Sequence, residues 1–87
     1  MNTKTPNRKS SAVIISTAKM TWVIGRELID SIDKIVTSDQ IKKCNIELEN
    51  QRIKLELNSV EAAAKVIENM NNKVVQEQKV TAYQDIS

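Results

Sequence analysis

Two short polar segments contain the residues best suited to contact a phosphate. Lys19 follows an apolar, β-branched run at residues 12–16, and an amphipathic helix pattern begins directly after it. A loop between a strand and a helix can present both a lysine and free backbone N–H groups to an anion. The second segment is Asn50-Gln51-Arg52, whose arginine can make a bidentate contact with a phosphate. These residues indicate binding to the phosphate backbone of a nucleic acid.

The N-terminal end of the chain is basic and adds two further candidates, Arg8 and Lys9. Residues 1–10 are polar and contain the only proline, so they are predicted to form a disordered arm. Cations on such an arm would add a salt-sensitive and sequence-independent contribution to binding. The net charge of the whole chain is only +2, which is low for a strong nucleic-acid binder.

The composition gives little support to catalysis or to a cofactor. The chain has no histidine, one glycine and one cysteine, which excludes an ordinary His/Cys zinc site, an internal disulfide and a glycine-rich phosphate loop. No side chains have the spacing of a nucleophile with its base. We therefore expect a protein that is not an enzyme and that uses no catalytic residue, metal, cofactor or small-molecule substrate.

Cys44 and Trp22 each have a chemical and a structural interpretation. Cys44 follows Lys42 and Lys43 and could be an activated thiol, although a small apolar side chain buried in a strand is the simpler interpretation. Trp22 could stack on a base, although a tryptophan that opens an amphipathic helix belongs more often to the core.

The pattern of apolar residues predicts one small α/β domain in which strands and helices alternate. The predicted strands lie near 11–16, 44–49 and 74–83, and the predicted helices lie near 20–36 and 51–70. The element order is then βαβαβ, an α+β two-layer sandwich that covers residues 11–87 as a single domain. A core of this size is often marginal alone, so a dimer is a fair expectation.

Residues 45–57 permit more than one structure. One is a β-hairpin that turns at Asn50-Gln51, because apolar residues alternate on both sides of that turn. Another is a strand that runs into a long helix from about residue 51, supported by the helical spacing of Ile53, Leu57, Val60, Ala64 and Ile67. The turn lacks Asn-Gly or Asp-Gly, so the long helix is favoured. A coiled coil is a third possibility, since apolar residues also recur every seven positions, but its alternate seam positions are partly polar.

No secretory or membrane segment is predicted. Residues 12–24 are apolar, but Lys19 interrupts them, and charged residues from Arg26 onward follow too soon for a membrane span. A single cysteine is typical of a reducing compartment. The expected location is intracellular, in the cytoplasm, nucleoid or nucleus.

Three segments resemble the Alba superfamily of small DNA- and RNA-binding proteins. Residues 13–23 look like the family's first strand, its lysine-bearing loop and the start of its first helix. Lys19 falls at the nucleic-acid lysine of the family, and Trp22 falls at its aromatic position. Residues 53–65 match the apolar spacing of the second helix, and residues 77–82 are similar to the third strand.

The resemblance departs from the family in two places. The glycine usual before the second helix is replaced by Asn50, which tolerates the left-handed conformation. The chain ends at Ser87, which leaves no room for the family's fourth strand. The resemblance implies a homodimer or heterodimer that binds DNA or RNA by shape and phosphate contact, in a chromatin or RNA-associated role. Lys19 and residues 50–52 would then converge at one edge of the domain.

A protein-interaction module, such as an adaptor or small chaperone, is the alternative function. It would use an apolar face of the second predicted helix, formed by Ala63, Ala64, Ile67, Met70 and Val74. The charge distribution distinguishes the two hypotheses. A phosphate binder benefits from the acid-free first twenty residues, whereas an interaction module does not need them.

Overall fold

The computed structural model describes residues 10–85, which form two helices packed on one face of a four-stranded antiparallel sheet. The predicted α+β two-layer sandwich is therefore confirmed. The predicted arm, with Arg8 and Lys9, lies outside the described residues apart from Ser10. The elements in chain order are β1 (Ala12–Ser16), α1 (Trp22–Ile35), β2 (Ile41–Glu47), β3 (Arg52–Leu57), α2 (Val60–Met70), β4 (Val74–Val75), β5 (Gln78–Lys79) and β6 (Thr81–Gln84).

The main sheet has the strand order β2-β3-β1-β6, and each neighbouring pair is antiparallel. The central strand β1 pairs with β3 on one side and with β6 on the other. Ile14 therefore lies between Lys54 and Tyr83, while Ile15 lies between Ile53 and Ala82. Successive residues of a strand point to opposite faces, so these two rows belong to different sides of the sheet.

The hydrophobic core lies between the sheet and the helices. In β3 the residues Ile53, Leu55 and Leu57 are buried, and the residues between them are charged. Helix α1 adds a buried stripe that includes Ile24, Leu28 and Ile32, as its helical spacing predicted. Helix α2 adds Ala62, Ala63, Val66 and Met70. The buried residues recur at every second position in the strands and about every 3.6 positions in the helices, and together they form one hydrophobic cluster.

The favoured prediction for residues 51–70 was wrong, and the hairpin alternative was correct. Residues 52–57 form β3, which pairs with β2, and the second helix begins only at Val60. The side chain of Ser59 caps that helix by accepting a hydrogen bond from the backbone N–H of Ala62 at 3.1 Å. The element order is therefore βαββαβ, with a further small hairpin, rather than βαβαβ. Ile53 and Leu57, which fit the helical spacing of the following residues, belong to this strand.

The turn between β2 and β3 forms without glycine. A short 3₁₀ turn at Leu48–Asn50 leads into Gln51, which adopts the left-handed conformation with φ of 57°. Its backbone N–H closes the turn on the Leu48 carbonyl at 3.1 Å. The left-handed residue is therefore Gln51 and not Asn50, as the resemblance had implied.

The segment predicted as one strand at 74–83 is divided into three. Strands β4 and β5 form a separate two-stranded hairpin, and only β6 joins the main sheet. Gln76 and Glu77, at the tip of this hairpin, have φ of 52° and 65°. Two consecutive left-handed residues produce the tight turn that divides the segment.

Gly25 lies on α1 where β2 approaches most closely. A Cβ at this position would lie 3.1 Å from Cδ1 of Ile46, so the missing side chain permits this contact.

Trp22, in the first turn of the same helix, has 59% of its surface exposed, and its prediction as a core residue was wrong. No helix among residues 10–85 has the length and apolar character to cross a membrane.

Candidate nucleic-acid interface

Gln51 joins the two segments that the sequence singled out. Its side-chain oxygen accepts a hydrogen bond from the backbone N–H of Met20, and its carbonyl accepts one from the N–H of Thr17 at 3.2 Å. The loop between β1 and α1, which carries Lys19, therefore lies against the turn between β2 and β3. The structure brings Lys19 and residues 50–52 to one end of the sheet.

A second glutamine holds the same loop from the other side. The side-chain oxygen of Gln78 accepts from the backbone N–H of Lys19 at 2.7 Å, and its amide nitrogen donates to the Lys19 carbonyl at 3.0 Å. The backbone N–H groups of Thr17, Lys19 and Met20 are thus all hydrogen-bonded within the protein. The expectation that this loop offers these N–H groups to a phosphate was wrong, and the exposed Lys19 side chain is what it presents.

Glu47 engages two of the predicted phosphate contacts. Its Oε1 accepts from Arg52 Nε at 2.8 Å and from Asn50 Nδ2 at 3.1 Å. These hydrogen bonds, with Arg52 contributing most, lower the pKa of the Glu47 carboxyl from its ordinary value. Arg52 is therefore held at the end of the sheet with its charge partly matched and its Nε occupied, which leaves its Nη groups for a phosphate.

The sheet face opposite the helices is uncovered within residues 10–85, and we call it the open face. Its residues follow from the strand register and from the core positions between them. They are Lys43, Asn45 and Glu47 of β2, Arg52, Lys54 and Glu56 of β3, Ala12, Ile14 and Ser16 of β1, and Thr81 and Tyr83 of β6. Sequence reasoning missed this surface because it assigned residues 52–57 to a helix.

One row across the open face combines an aromatic ring, on the edge strand β6, with apolar and cationic neighbours. Tyr83 is 47% exposed and lies beside Ile14, and Lys54 flanks Ile14 on its other side. Ile14 is only 4% exposed although no helix covers it, because these two longer side chains shield it. Asn45 continues the row beyond Lys54. Such a row offers a ring for stacking and a nearby charge for a phosphate.

Cations and acids alternate across the open face. Lys54 lies 3.9 Å from Asp85, measured between the charged atoms. Lys42, which a bulge in β2 sets beside Lys43 at the edge of the open face, lies 3.9 Å from Glu56. All of these side chains are partly exposed, so each pair contributes little and can exchange its partner. Lys43 forms no ion pair within the part of the chain that the structure describes.

A shallow concavity of about 310 Å³ lies on the open face between β2 and the start of β1. Lys43, Asn45, Lys54, Glu56 and Asp85 supply its polar wall. Both signs of charge are present, so it is suited to hold a polar chain with donors and acceptors and not a densely charged anion alone.

Other candidate chemistry receives no geometric support. No group of three or more His, Cys, Asp or Glu residues that could hold a metal occurs among residues 10–85. Cys44 is exposed on β2, so its prediction as a buried residue was wrong. Partial desolvation raises the pKa of its thiol and the charge of Asp33 raises it further, which is the opposite of activation.

The apolar face proposed for the alternative function is mostly part of the core. Ala63 and Met70 are fully buried, and Ile67 is half-buried. Ala64 and Val74 are exposed. The residues that would have formed one binding surface therefore do not form a continuous exposed patch.

No protein-family model and no curated protein matches this chain. Among solved structures, it is similar to the RRM of Rna15 with bound RNA (GU). The TM-score is 0.59 and the sequence identity is 13%, over 87% of this chain and 83% of the other. This likeness establishes an RRM-like fold. It gives no support to the Alba resemblance in particular, and the βαββαβ order differs from the order that the resemblance implied.

The open face differs from the usual RRM surface in its aromatic content. RRM sheets stack bases on aromatic residues of two conserved strand motifs, one of which has the form K/R-G-F/Y-G/A-F-V-x-F/Y. This chain has one tyrosine, one tryptophan and no phenylalanine, and β3 carries arginine, lysine and glutamate on its open side. Its only open-face aromatic, Tyr83, lies on β6.

Proposed function

We propose that this protein binds single-stranded RNA across the open face of its sheet, with little sequence specificity and without a catalytic step. The observation that carries the proposal is the uncovered four-stranded sheet, on which an exposed tyrosine and several lysines lie side by side. The likeness in fold to an RRM solved with bound RNA supports RNA as the partner.

The proposed contacts divide into one stacking residue and four cations. Tyr83 stacks on a base, because its ring is half exposed on β6, beside Ile14. Lys54 and Lys43 contact phosphates on either side of the concavity. Lys19 and Arg52 continue the same path to the end of the sheet, as the sequence predicted. With one aromatic residue on the face, phosphate contacts supply most of the affinity and little of the specificity.

Glu47 lowers the affinity that Arg52 contributes to phosphate binding. Glu47 already partly neutralises Arg52 through a hydrogen bond of 2.8 Å to its Nε, so a phosphate at the Nη groups gains less than it would from an unpaired cation. Lys19 has no ion-pair partner among residues 10–85 and gains the full attraction. We therefore rank Lys19 above Arg52 as a phosphate contact.

The remaining parts of the proposal come from the sequence. They are an intracellular location, a contribution of Arg8 and Lys9, and the formation of a dimer. Binding to DNA in a chromatin role is the competing form of the proposal. An uncovered sheet with splayed aromatic and polar groups favours a single strand over a duplex, because stacking needs unpaired bases.

Fluorescence anisotropy with single-stranded RNA, duplex RNA and duplex DNA tests the proposal. The four proposed phosphate contacts predict that the affinity for single-stranded RNA falls about 50-fold between roughly 50 and 200 mM salt. Lys19→Glu and Lys54→Glu should each weaken binding and reduce the salt slope. Lys65→Glu, at an exposed position of α2, is the matched control and should bind as the unchanged protein does.

Two results would overturn the proposal. One is the absence of binding at low salt by a folded protein. The other is equal loss of affinity in Lys65→Glu and Lys54→Glu, which would show that only net charge matters. Tighter binding to duplex DNA than to single-stranded RNA would replace RNA with DNA as the partner and remove the stacking role of Tyr83.

A further inference from the structure

A second surface lies at the edge of the sheet, where α1 packs beside β2, and we call it the edge surface. Trp22 is exposed at its centre with a hollow on each side. The first hollow, of about 580 Å³, is bordered by Ile46 and Leu48, and the second, of about 250 Å³, is bordered by Ile29 and Ile46. These side chains make the edge surface apolar in its middle, and the proposed RNA contacts do not use this apolar part.

The strand at this edge has an unpaired side. β2 is the longest strand, with seven residues, and within residues 10–85 it pairs only with β3. Its outer N–H and C=O groups are therefore open to another strand. Because Gly25 lets Ile46 approach α1 closely, the strand and the helix form one continuous surface.

The charged residues of the edge surface are arranged so that the surface is complementary to a second copy of itself. Along β2, Lys42 and Lys43 lie at the start, and Glu47 and Glu49 lie at or just beyond the end. Along α1, Arg26 and Asp30 border the second hollow and stand one helical turn apart. A twofold axis reverses the direction of each element in the second copy, so it places the basic end of one strand beside the acidic end of the other. The same axis sets Arg26 beside Asp30 of the second copy where it crosses α1 level with Leu28, midway between them.

We propose that the edge surface binds a second copy of this chain, by antiparallel pairing of the two β2 strands about a twofold axis near Cys44. An interface between identical copies must be complementary to itself, and the charge order of both elements meets this requirement. Lysines on an edge strand usually prevent pairing with other strands. In this register Lys43 faces Asn45 of the second copy and lies diagonal to its Glu47, so the strand selects a partner that presents an acid there.

The assembly joins two four-stranded sheets into one continuous sheet of eight strands. Edge pairing leaves both open faces on the same side, so a single strand of RNA could contact the two copies in turn. The interface shares Lys43 with the proposed RNA contacts, but its strand pairing and its apolar middle form without nucleic acid. The oligomeric state can therefore be measured without nucleic acid.

Sedimentation analysis with a charge-swap cycle tests the proposal. Arg26→Glu and Asp30→Arg each place like charges across the interface and should weaken dimerisation by about tenfold. The double variant Arg26→Glu/Asp30→Arg restores the opposite charges and should recover most of that loss. Lys65→Glu, on α2, should dimerise as the unchanged protein does. A chain that sediments as a monomer at about 1 mM, or a double variant that dimerises no better than the singles, would overturn the proposal.

Cross-linking through Cys44 gives a second measurement that does not depend on these variants. Cys44 is the only cysteine, and residues directly opposite in an antiparallel pair have Cβ atoms about 4.5–5.5 Å apart. A short bismaleimide should therefore convert the dimer into a covalent one. A stable dimer that resists this cross-linker and ignores the charge swaps would use a different interface and would also overturn the proposal.

Discussion

The two faces of the main sheet are made by the same strands and have opposite properties. In β3, Ile53, Leu55 and Leu57 enter the core, while Arg52, Lys54 and Glu56 lie on the open face. The covered face is apolar along the central strands β1 and β3 and is closed by both helices. The open face carries cross-strand ion pairs and one exposed aromatic ring.

This difference separates stability from binding within one strand. Adjacent residues of β3 contribute to different properties, because successive side chains of a strand point to opposite faces. Substitutions on the covered face should change the free energy of unfolding and leave the surface chemistry alone. Substitutions on the open face should do the reverse, and the following predictions test that separation.

The largest effect is expected from Leu55→Ala. Leu55 is 2% exposed, so its truncation leaves a cavity and should lower the free energy of unfolding by about 2–5 kcal/mol. Lys54→Ala, at the neighbouring exposed position, should change it by less than about 0.5 kcal/mol. Urea unfolding of both variants measures the difference. Similar losses in the two variants would contradict the assignment of the two faces.

Tyr83→Ala should give the next largest effect, and it concerns binding. If Tyr83 stacks on a base, its removal weakens the binding of single-stranded RNA by about 1–3 kcal/mol. Tyr83→Phe keeps the ring and should retain most of the affinity. Anisotropy titrations measure both values. A similar loss in Tyr83→Phe would assign the contribution to the hydroxyl and not to stacking.

Cys44 lies at the outer edge of the covered face, and its reactivity tests the exposure of that edge. Its register partner Leu55 places it on the covered side, yet it lies on the outermost strand and is exposed. Partial desolvation and Asp33 raise its thiol pKa, so alkylation at neutral pH should be slower than for a free thiol. Asp33→Asn removes one of the two causes and should increase the rate a few-fold. An unchanged rate would leave desolvation as the only cause.

Glu47 should give the smallest effect, through the pH dependence of stability. Hydrogen bonds from Arg52 and Asn50 lower its pKa in the folded state, so its carboxylate stabilises the fold above the unfolded-state pKa. That contribution is lost as the pH falls through the lowered folded-state pKa. Glu47→Gln should therefore lose less stability than the unchanged protein on acidification.

Urea midpoints between about pH 6 and pH 3 measure the effect of Glu47. Glu68→Gln, at an exposed position of α2, is the matched control. An identical pH dependence in Glu47→Gln and the unchanged protein would show that the pair with Arg52 does not contribute to stability in solution. The bidentate phosphate contact of Arg52 would then carry no competing cost.

Some elements were predictable because their signal is local. The run before Lys19 has the composition of a buried strand, and the apolar stripe of α1 extends over four turns. Residues 51–58 were not predictable in this way, because apolar residues at Ile53 and Leu57 fit a strand and a helix equally well. The pairing of β3 with both β1 and β2 decides between them, and those partners lie far away in the sequence.

The same distinction between local signals and long-range contacts applies to the candidate site. The sequence by itself determined that Lys19 follows a strand and precedes a helix, and that basic residues concentrate near the N-terminus. Only the tertiary structure decided that Gln51 and Gln78 occupy the backbone of that loop, that Glu47 holds Arg52, and that Trp22 is exposed. Local patterns specify which face of an element is apolar. Contacts between distant segments decide what covers that face, and therefore which side chains are left free to bind.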